Sequence, residues 1–326
     1  MSRARVFTIL RIVLALLVVA AVAVAVARNW TAVSADIRRI DGWAFALAAV
    51  LVCLPPVLTL LGWRVLLADL GSPLHVAQAG GVFFVGQLGK YVPGAVWSIV
   101  AQAEMGARLH VPRRRSAVCA FVTVAIAAIC GLIVGLPAVP LLITREDSAA
   151  TGWGLVLVVP LLAIVLWPRL INWAIATVLR VLRREQLEHQ LSGRAVVTAV
   201  ACFISAWVCS GLHALVLAAA TGSADDTGDL LLATVCGFAL ASSLSMFSVI
   251  LPAGVGVREG LLVLMLGPVT STSAATAVVL LSRFLTVAAD VLFALLGWAY
   301  ARSHHLLTSR EERAQDHIVV GEEPAG

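Results

Sequence analysis

Apolar stretches of roughly 20 residues recur along nearly the whole of this chain, and each is long enough to cross the ~30 Å hydrocarbon core of a bilayer as a helix. That recurrence decides the fold class, because backbone polar groups in lipid must be satisfied internally, as they are in a helix. Only 13% of the residues are charged and 61% are hydrophobic, whereas soluble domains are about a quarter charged. The expected architecture is an all-α polytopic membrane protein. It has about six full transmembrane helices plus two broken, re-entrant ones arranged as an inverted repeat.

The full spans fall at about Val6 to Ala27, Trp43 to Gly62, Ser116 to Ile143, Gly152 to Trp167, Ala195 to Ala220 and Ala274 to Ala301. The broken segments are His75 to Glu104 and Leu230 to Gly267. Orientation follows from the loop arginines. The amino terminus, residues 64–75, 105–115 and 168–194 and the tail hold 15 of the 23 basic residues, and the opposite loops hold four (Arg28, Arg38, Arg39, Arg145). Both termini are therefore expected in the cytoplasm, with the chain a multi-pass protein of a bacterial plasma membrane. The basic balance, +5 overall, reports this topology and not a nucleic-acid partner.

On that assignment His75 to Glu104 enters and leaves on one side, since Val76 to Leu88 reaches only ~20 Å as a helix. The second broken segment dips from the other face. Its first limb, Leu230 to Ile250, is nearly long enough to span, which leaves open a full crossing with Pro252 to Gly260 as an inner loop. The order span, span, hairpin, span then runs through residues 1–143 and again through 152–301 with opposite starting sides. One transmembrane domain, 1–302, is expected, followed by a polar tail at 303–326 too poor in apolar residues to fold.

Matched Gly/Pro breaks in two halves point to a substrate site at the repeat interface. Gly89, Pro93 and Gly94 shape the first hairpin, and Pro252, Gly254 and Gly256 the second. Charges there are informative, because one at the bilayer centre costs roughly 2.5–3.5 kcal/mol on insertion scales. Lys90 lies at the first tip, where an ammonium and a helix end suit a lipid phosphate. Its structural alternative is pairing with Glu104 or Glu259. Arg258 at the second tip suits bidentate phosphate recognition, with Glu259 as its orienting partner or a proton carrier. Arg283 and Asp290 lie seven residues apart on one helical face, either at the site or as an internal ion pair. These five are the candidate substrate-binding residues. No catalytic constellation, cofactor motif or metal cluster is evident.

Other features have plainer readings. The six cysteines and His213 read as packing residues, and Asp225, Asp226 and Asp229 as a solvated loop. Trp30, Trp43, Trp63, Trp153, Trp167, Trp173 and Trp298 lie near predicted span ends, as an interfacial belt requires. Pro168 to Arg184 places Ile171, Ile175, Leu179 and Leu182 on one stripe, with Arg169, Arg180, Arg183 and Arg184 largely opposite. It reads as an interfacial helix on an anionic inner leaflet. Arg3, Arg5 and Arg11 before an apolar run ending Ala25-Val26-Ala27 also fit a cleaved signal peptide, a removal that would leave the rest of the topology unchanged.

The motifs Gly89-Lys90-Tyr91-Val92-Pro93-Gly94 and Pro252-Ala253-Gly254-Val255-Gly256-Val257-Arg258-Glu259, with Ser282-Arg283 and Asp290, resemble those of the lysylphosphatidylglycerol synthase transmembrane-region family, also called flippase-like. The resemblance covers about residues 6–301. It implies handling of an anionic or glycosylated lipid, so a membrane phospholipid or lipid-linked glycan is the expected ligand. A Glu-Arg-x-x-Asp often found in the family after the first hairpin is replaced by Ala117-Val118-Cys119-Ala120-Phe121-Val122. No aminoacyl-transferase domain precedes Gly326, so synthase activity is not expected of the sequence given. The expected function is non-enzymatic lipid translocation or binding at a midplane site formed by the two hairpins. The alternative is a membrane-embedded accessory or catalytic component of lipid-linked aminoacyl or glycosyl transfer.

Overall fold

The computed structural model describes residue 27 and residues 30–91, 96–142, 158–222, 226–246 and 256–304. The described residues form helices and short connections only. In chain order these are α1 (Trp30–Arg39), α2 (Gly42–Asp69), α3 (Val76–Gln87) with a 3-10 turn at Leu88–Tyr91, α4 (Trp97–Arg108) and α5 (Arg113–Gly135) with a 3-10 extension at Leu136–Leu142. There follow α6 (Val158–Val165), α7 (Pro168–Val181), α8 (Gly193–Ala220), α9 (Thr227–Met246), α10 (Val257–Leu266) and α11 (Thr272–Ser303). Five of them, α2, α5 (counted to Leu141), α8, α9 and α11, are long and apolar enough to cross a membrane, and a sixth span results if α6 and α7 count as one. The chain is thus an all-α polytopic membrane protein. The span expected at Val6 to Ala27 lies outside the described residues, apart from residue 27, and so does the tail after residue 304.

Helix ends follow the local chemistry. Ser192 and Ser271 cap α8 and α11 by accepting from the amides of Ala195 and Ala274, each at 3.2 Å. Asp226 caps α9 through the amides of Gly228 (2.5 Å) and Asp229 (3.3 Å), so it ends a helix and does not merely face solvent. Helix α2 continues through Pro55 and Pro56 to Asp69, seven residues beyond the span read from the sequence. Its added turns carry Trp63, which is 1% exposed and packs on Phe83 with ring centroids 5.5 Å apart. Trp63 is therefore a core residue and not part of an aromatic belt, whereas Trp30, Trp43, Trp167, Trp173 and Trp298 are exposed as a belt requires; Trp153 lies outside the described residues.

Small residues set the packing, since close helix approach in membranes depends on them. A Cβ on Gly62 of α2 would lie 2.5 Å from the Phe203 ring of α8. At the far end of the same pair, Asp69 accepts from the Ser192 amide at 2.6 Å. As the numbers rise on α2 they fall on α8, so these two 28-residue helices are antiparallel. Gly131 and Gly135 of α5 face Ser243 and Leu240 of α9, again antiparallel. Helix α3 packs antiparallel on the last half of α11, through Gly81 against Tyr300 and Phe84 against Phe293 at 4.8 Å between centroids. The exchange is reciprocal: each half's final helix carries the other half's broken segment. Two halves related by an in-plane axis would pack in this way.

Helices α3 and α4 fold back on one another. Gly86 meets Gln102, and a Cβ on Gly89 would collide with the backbone of Ser98. Each has 12 residues, which at 1.5 Å per residue is about 18 Å and too short to cross. The second broken segment is asymmetric. Helix α9 has 20 residues, including a π-helical turn at Leu232–Cys236, while α10 has ten. A turn at residues 267–269 joins α10 to the Ser271 cap of α11.

Candidate functional site

Lys90, at the end of the 3-10 turn that terminates α3, places its Nζ 2.7 Å from Asp290 Oδ2 on α11. The Tyr91 hydroxyl donates to the same oxygen at 2.6 Å. One carboxylate oxygen thus accepts from two successive side chains of the first break. Asp290 lies 13 residues before the end of α11, about 20 Å along its axis. Arg283 is two turns further from that end, and its NH1 lies 3.4 Å from Glu259 Oε1 on α10. Both ion pairs therefore join a broken segment to the middle part of α11.

Glu259 has a second task. Its Oε2 accepts from the Gly256 amide at 2.6 Å, which caps the first turn of α10. Gly256 itself has φ +87°, a conformation that L side chains rarely adopt. Glu259 Oε1 makes no hydrogen bond among the described residues, so its contact with Arg283 is a loose charge pair beside the tight Lys90–Asp290 bond. Arg258 lies with its guanidinium carbon 4.6 Å from the Phe238 ring centroid, over the ring of α9, a cation–π arrangement. It has no carboxylate within ion-pair distance among the described residues. Phe238 is held edge-on by His213, whose Nε2 lies 2.8 Å from Ser282 Oγ, next to Arg283 in sequence.

All five residues singled out in the sequence are thus on elements that meet here, with pairings other than those expected. Glu259 does not orient Arg258; it caps α10 and faces Arg283. Arg283 and Asp290 do not pair with each other, because two helical turns separate them and each is taken by a different broken segment. Lys90 pairs with neither Glu104 nor Glu259. Glu104 instead forms two hydrogen bonds of 2.8 Å with Arg113 at the arginine-rich end, and that bonding holds its carboxyl below the usual carboxylate range. Gly89 and Gly256 shape the breaks, while Pro93, Gly94, Pro252 and Gly254 lie outside the described residues.

Tyr91 and Phe238 belong to the site and were not singled out. Tyr91 had a signal: it is one of two tyrosines in the chain, a hydroxyl beside a lysine in an apolar segment. Phe238 had none, being one apolar residue among many. Three cations and two carboxylates are gathered here, and two of the cations, Lys90 and Arg283, already have carboxylate partners. Among the described residues no group of His, Cys, Asp and Glu could hold a metal ion.

A family model described as lysylphosphatidylglycerol synthase TM region matches residues 9–294. No curated protein matches the chain.

Proposed function

The chain belongs to the lysylphosphatidylglycerol synthase transmembrane-region family, and from that premise we propose that it is a lipid transporter whose midplane cluster receives an anionic headgroup. The observation that carries this reading is the convergence of Lys90, Arg258 and Arg283 with two carboxylates among the described residues, drawn from both broken segments and α11. A lipid phosphate would be met first by Arg258, which has no carboxylate of its own and whose planar guanidinium suits two-point hydrogen bonding. It would then draw Lys90 or Arg283 from its present partner. For Lys90 and Arg283 the headgroup replaces a pairing already made, whereas Arg258, which rests on the Phe238 ring, gains an anionic partner.

On this reading the two broken segments are re-entrant and the acyl chains stay in the bilayer. The arginine-rich end and both termini face the cytoplasm of a plasma membrane. The cluster binds and releases its ligand and performs no bond-making step. Purified protein reconstituted in vesicles should move a fluorescent anionic phospholipid between leaflets. Lys90→Ala and Arg258→Ala should each slow that movement per reconstituted molecule. Equal movement by wild type and the double variant would end the proposal.

A further inference from the structure

Helix α7 has three faces where the sequence suggested two. Of the apolar stripe Ile171, Ile175, Leu179 and Leu182, the first three turn inward, with Leu179 buried and the two isoleucines packed on the core with Phe203 and Trp63, while Leu182 is exposed. The helix is also mounted rigidly. Asn172 donates to the Leu191 carbonyl at 2.8 Å and accepts its amide at 2.9 Å. The following loop is tied to the start of α5 by Arg114–Glu185 (3.0 Å) and Arg115–Glu188 (3.2 Å).

What remains outside is amphipathic. At 100° per residue, Leu170, Val178 and Val181 occupy one flank of the outer surface, and Arg169, Trp173 and Arg180 the other. All six are exposed, Val181 at 76% and Trp173 at 63%. Leu182, Arg183 and Arg184 extend the same mixture past the helix end. Arg169, Arg180, Arg183 and Arg184 have no carboxylate partner among the described residues, whereas their neighbours Arg113, Arg114 and Arg115 each have one. Helix α7 also leaves the axis of α6 with a bend of 59°, at Leu166-Trp167-Pro168.

We infer that this outer surface of α7 is a docking surface for an anionic phospholipid leaflet, with Leu170, Val178 and Val181 among the acyl chains and the four arginines at the headgroups. The bend lets the helix leave the direction of a span. Exposed Trp167 and Trp173 supply the rings that favour the headgroup level, and unpaired arginines beside apolar side chains match a negative surface. Docking here depends on the outer face of α7 alone and stands whether or not the midplane cluster carries lipid.

The test uses the full chain in nanodiscs, with either brominated phosphatidylglycerol or brominated phosphatidylcholine as the minority lipid. Emission of Trp173 is isolated as the difference between wild type and Trp173→Phe. Brominated phosphatidylglycerol should quench it at least about twofold more than brominated phosphatidylcholine. In a variant with all four arginines replaced by Gln, the preference should vanish while quenching by phosphatidylcholine remains, showing the helix still at the membrane. Equal quenching of the wild type by both lipids would overturn the anionic preference. No quenching by either would overturn the surface itself and mean that water, protein or a second copy covers it.

Discussion

Asp290 carries the tightest contacts of the cluster, taking Lys90 at 2.7 Å and Tyr91 at 2.6 Å on one oxygen. Removing Lys90 alone leaves a half-buried carboxylate with a single neutral donor, and removing Asp290 alone leaves a half-buried ammonium. Either change should therefore cost more than removing both. In a double-mutant cycle with Lys90→Ala and Asp290→Ala, read by thermal unfolding in detergent, the coupling should be about 0.5–3 kcal/mol; additive losses would mean that the pair is solvated. Headgroup binding separates the two roles, since the double variant should regain stability without regaining affinity. Gly256 offers a second test at this scale. With φ at +87°, Gly256→Ala should cost about 1–3 kcal/mol through backbone strain alone, even though its side chain is small. An unchanged unfolding midpoint would show that the turn relaxes.

The helices themselves were legible wherever apolar length and a cap agreed. The boundaries Gly193–Ala220 and Thr272–Ser303 lie within two residues of those read from the sequence, because Ser192 and Ser271 are strong caps directly before continuous apolar runs. Helix α2 was read short, because Trp63 and Arg64 look like an interface when only the sequence is in view. In the structure Trp63 meets Phe83, and the Arg64 side chain donates to the Leu74 carbonyl at 2.8 Å. The stripe of α7 is legible in the sequence, but an amphipathic stripe does not say whether lipid or protein covers it, and the core takes Ile171, Ile175 and Leu179. The site residues were visible as charges in apolar segments, but their partners were not, since pairing depends on how α11 lies between the two hairpins. Packing at glycines is the element-scale prediction. Gly135→Ala would bring a Cβ within 2.6 Å of the Leu240 amide nitrogen of α9, whereas Gly42 has nothing within 4 Å of an added Cβ. Gly135→Ala should destabilise by about 1–3 kcal/mol in thermal unfolding, and Gly42→Ala should be close to neutral. Equal effects would remove the α5–α9 contact as a determinant of stability.

At the scale of the whole molecule, each half's broken segment rests on the other half's last helix, so any rocking of one half against the other must shear α3 along α11 or α9 along α5. One of the two ion pairs crosses between the halves. Lys90–Asp290 joins the first half to the second, while Arg283–Glu259 lies within the second half, so only the former must stretch when the halves separate. A crosslink can test whether this seam moves. A Cβ built on Gly297 lies 3.1 Å from the Cβ of Phe84, close to the spacing of about 3.5–4.5 Å that a disulfide requires. In a background freed of native cysteines, Phe84→Cys with Gly297→Cys should oxidise readily and stop lipid movement, and a reductant should restore it. A crosslink between Gly86→Cys and Gln102→Cys joins the two limbs of one hairpin, where the helices already touch, and should leave movement largely intact. If the fully oxidised Phe84/Gly297 pair still transports at the reduced rate, α3 does not slide on α11 and the halves do not rock there. On the transporter reading proposed above, the cluster would then have to reach both leaflets by motion of the broken segments' tips alone.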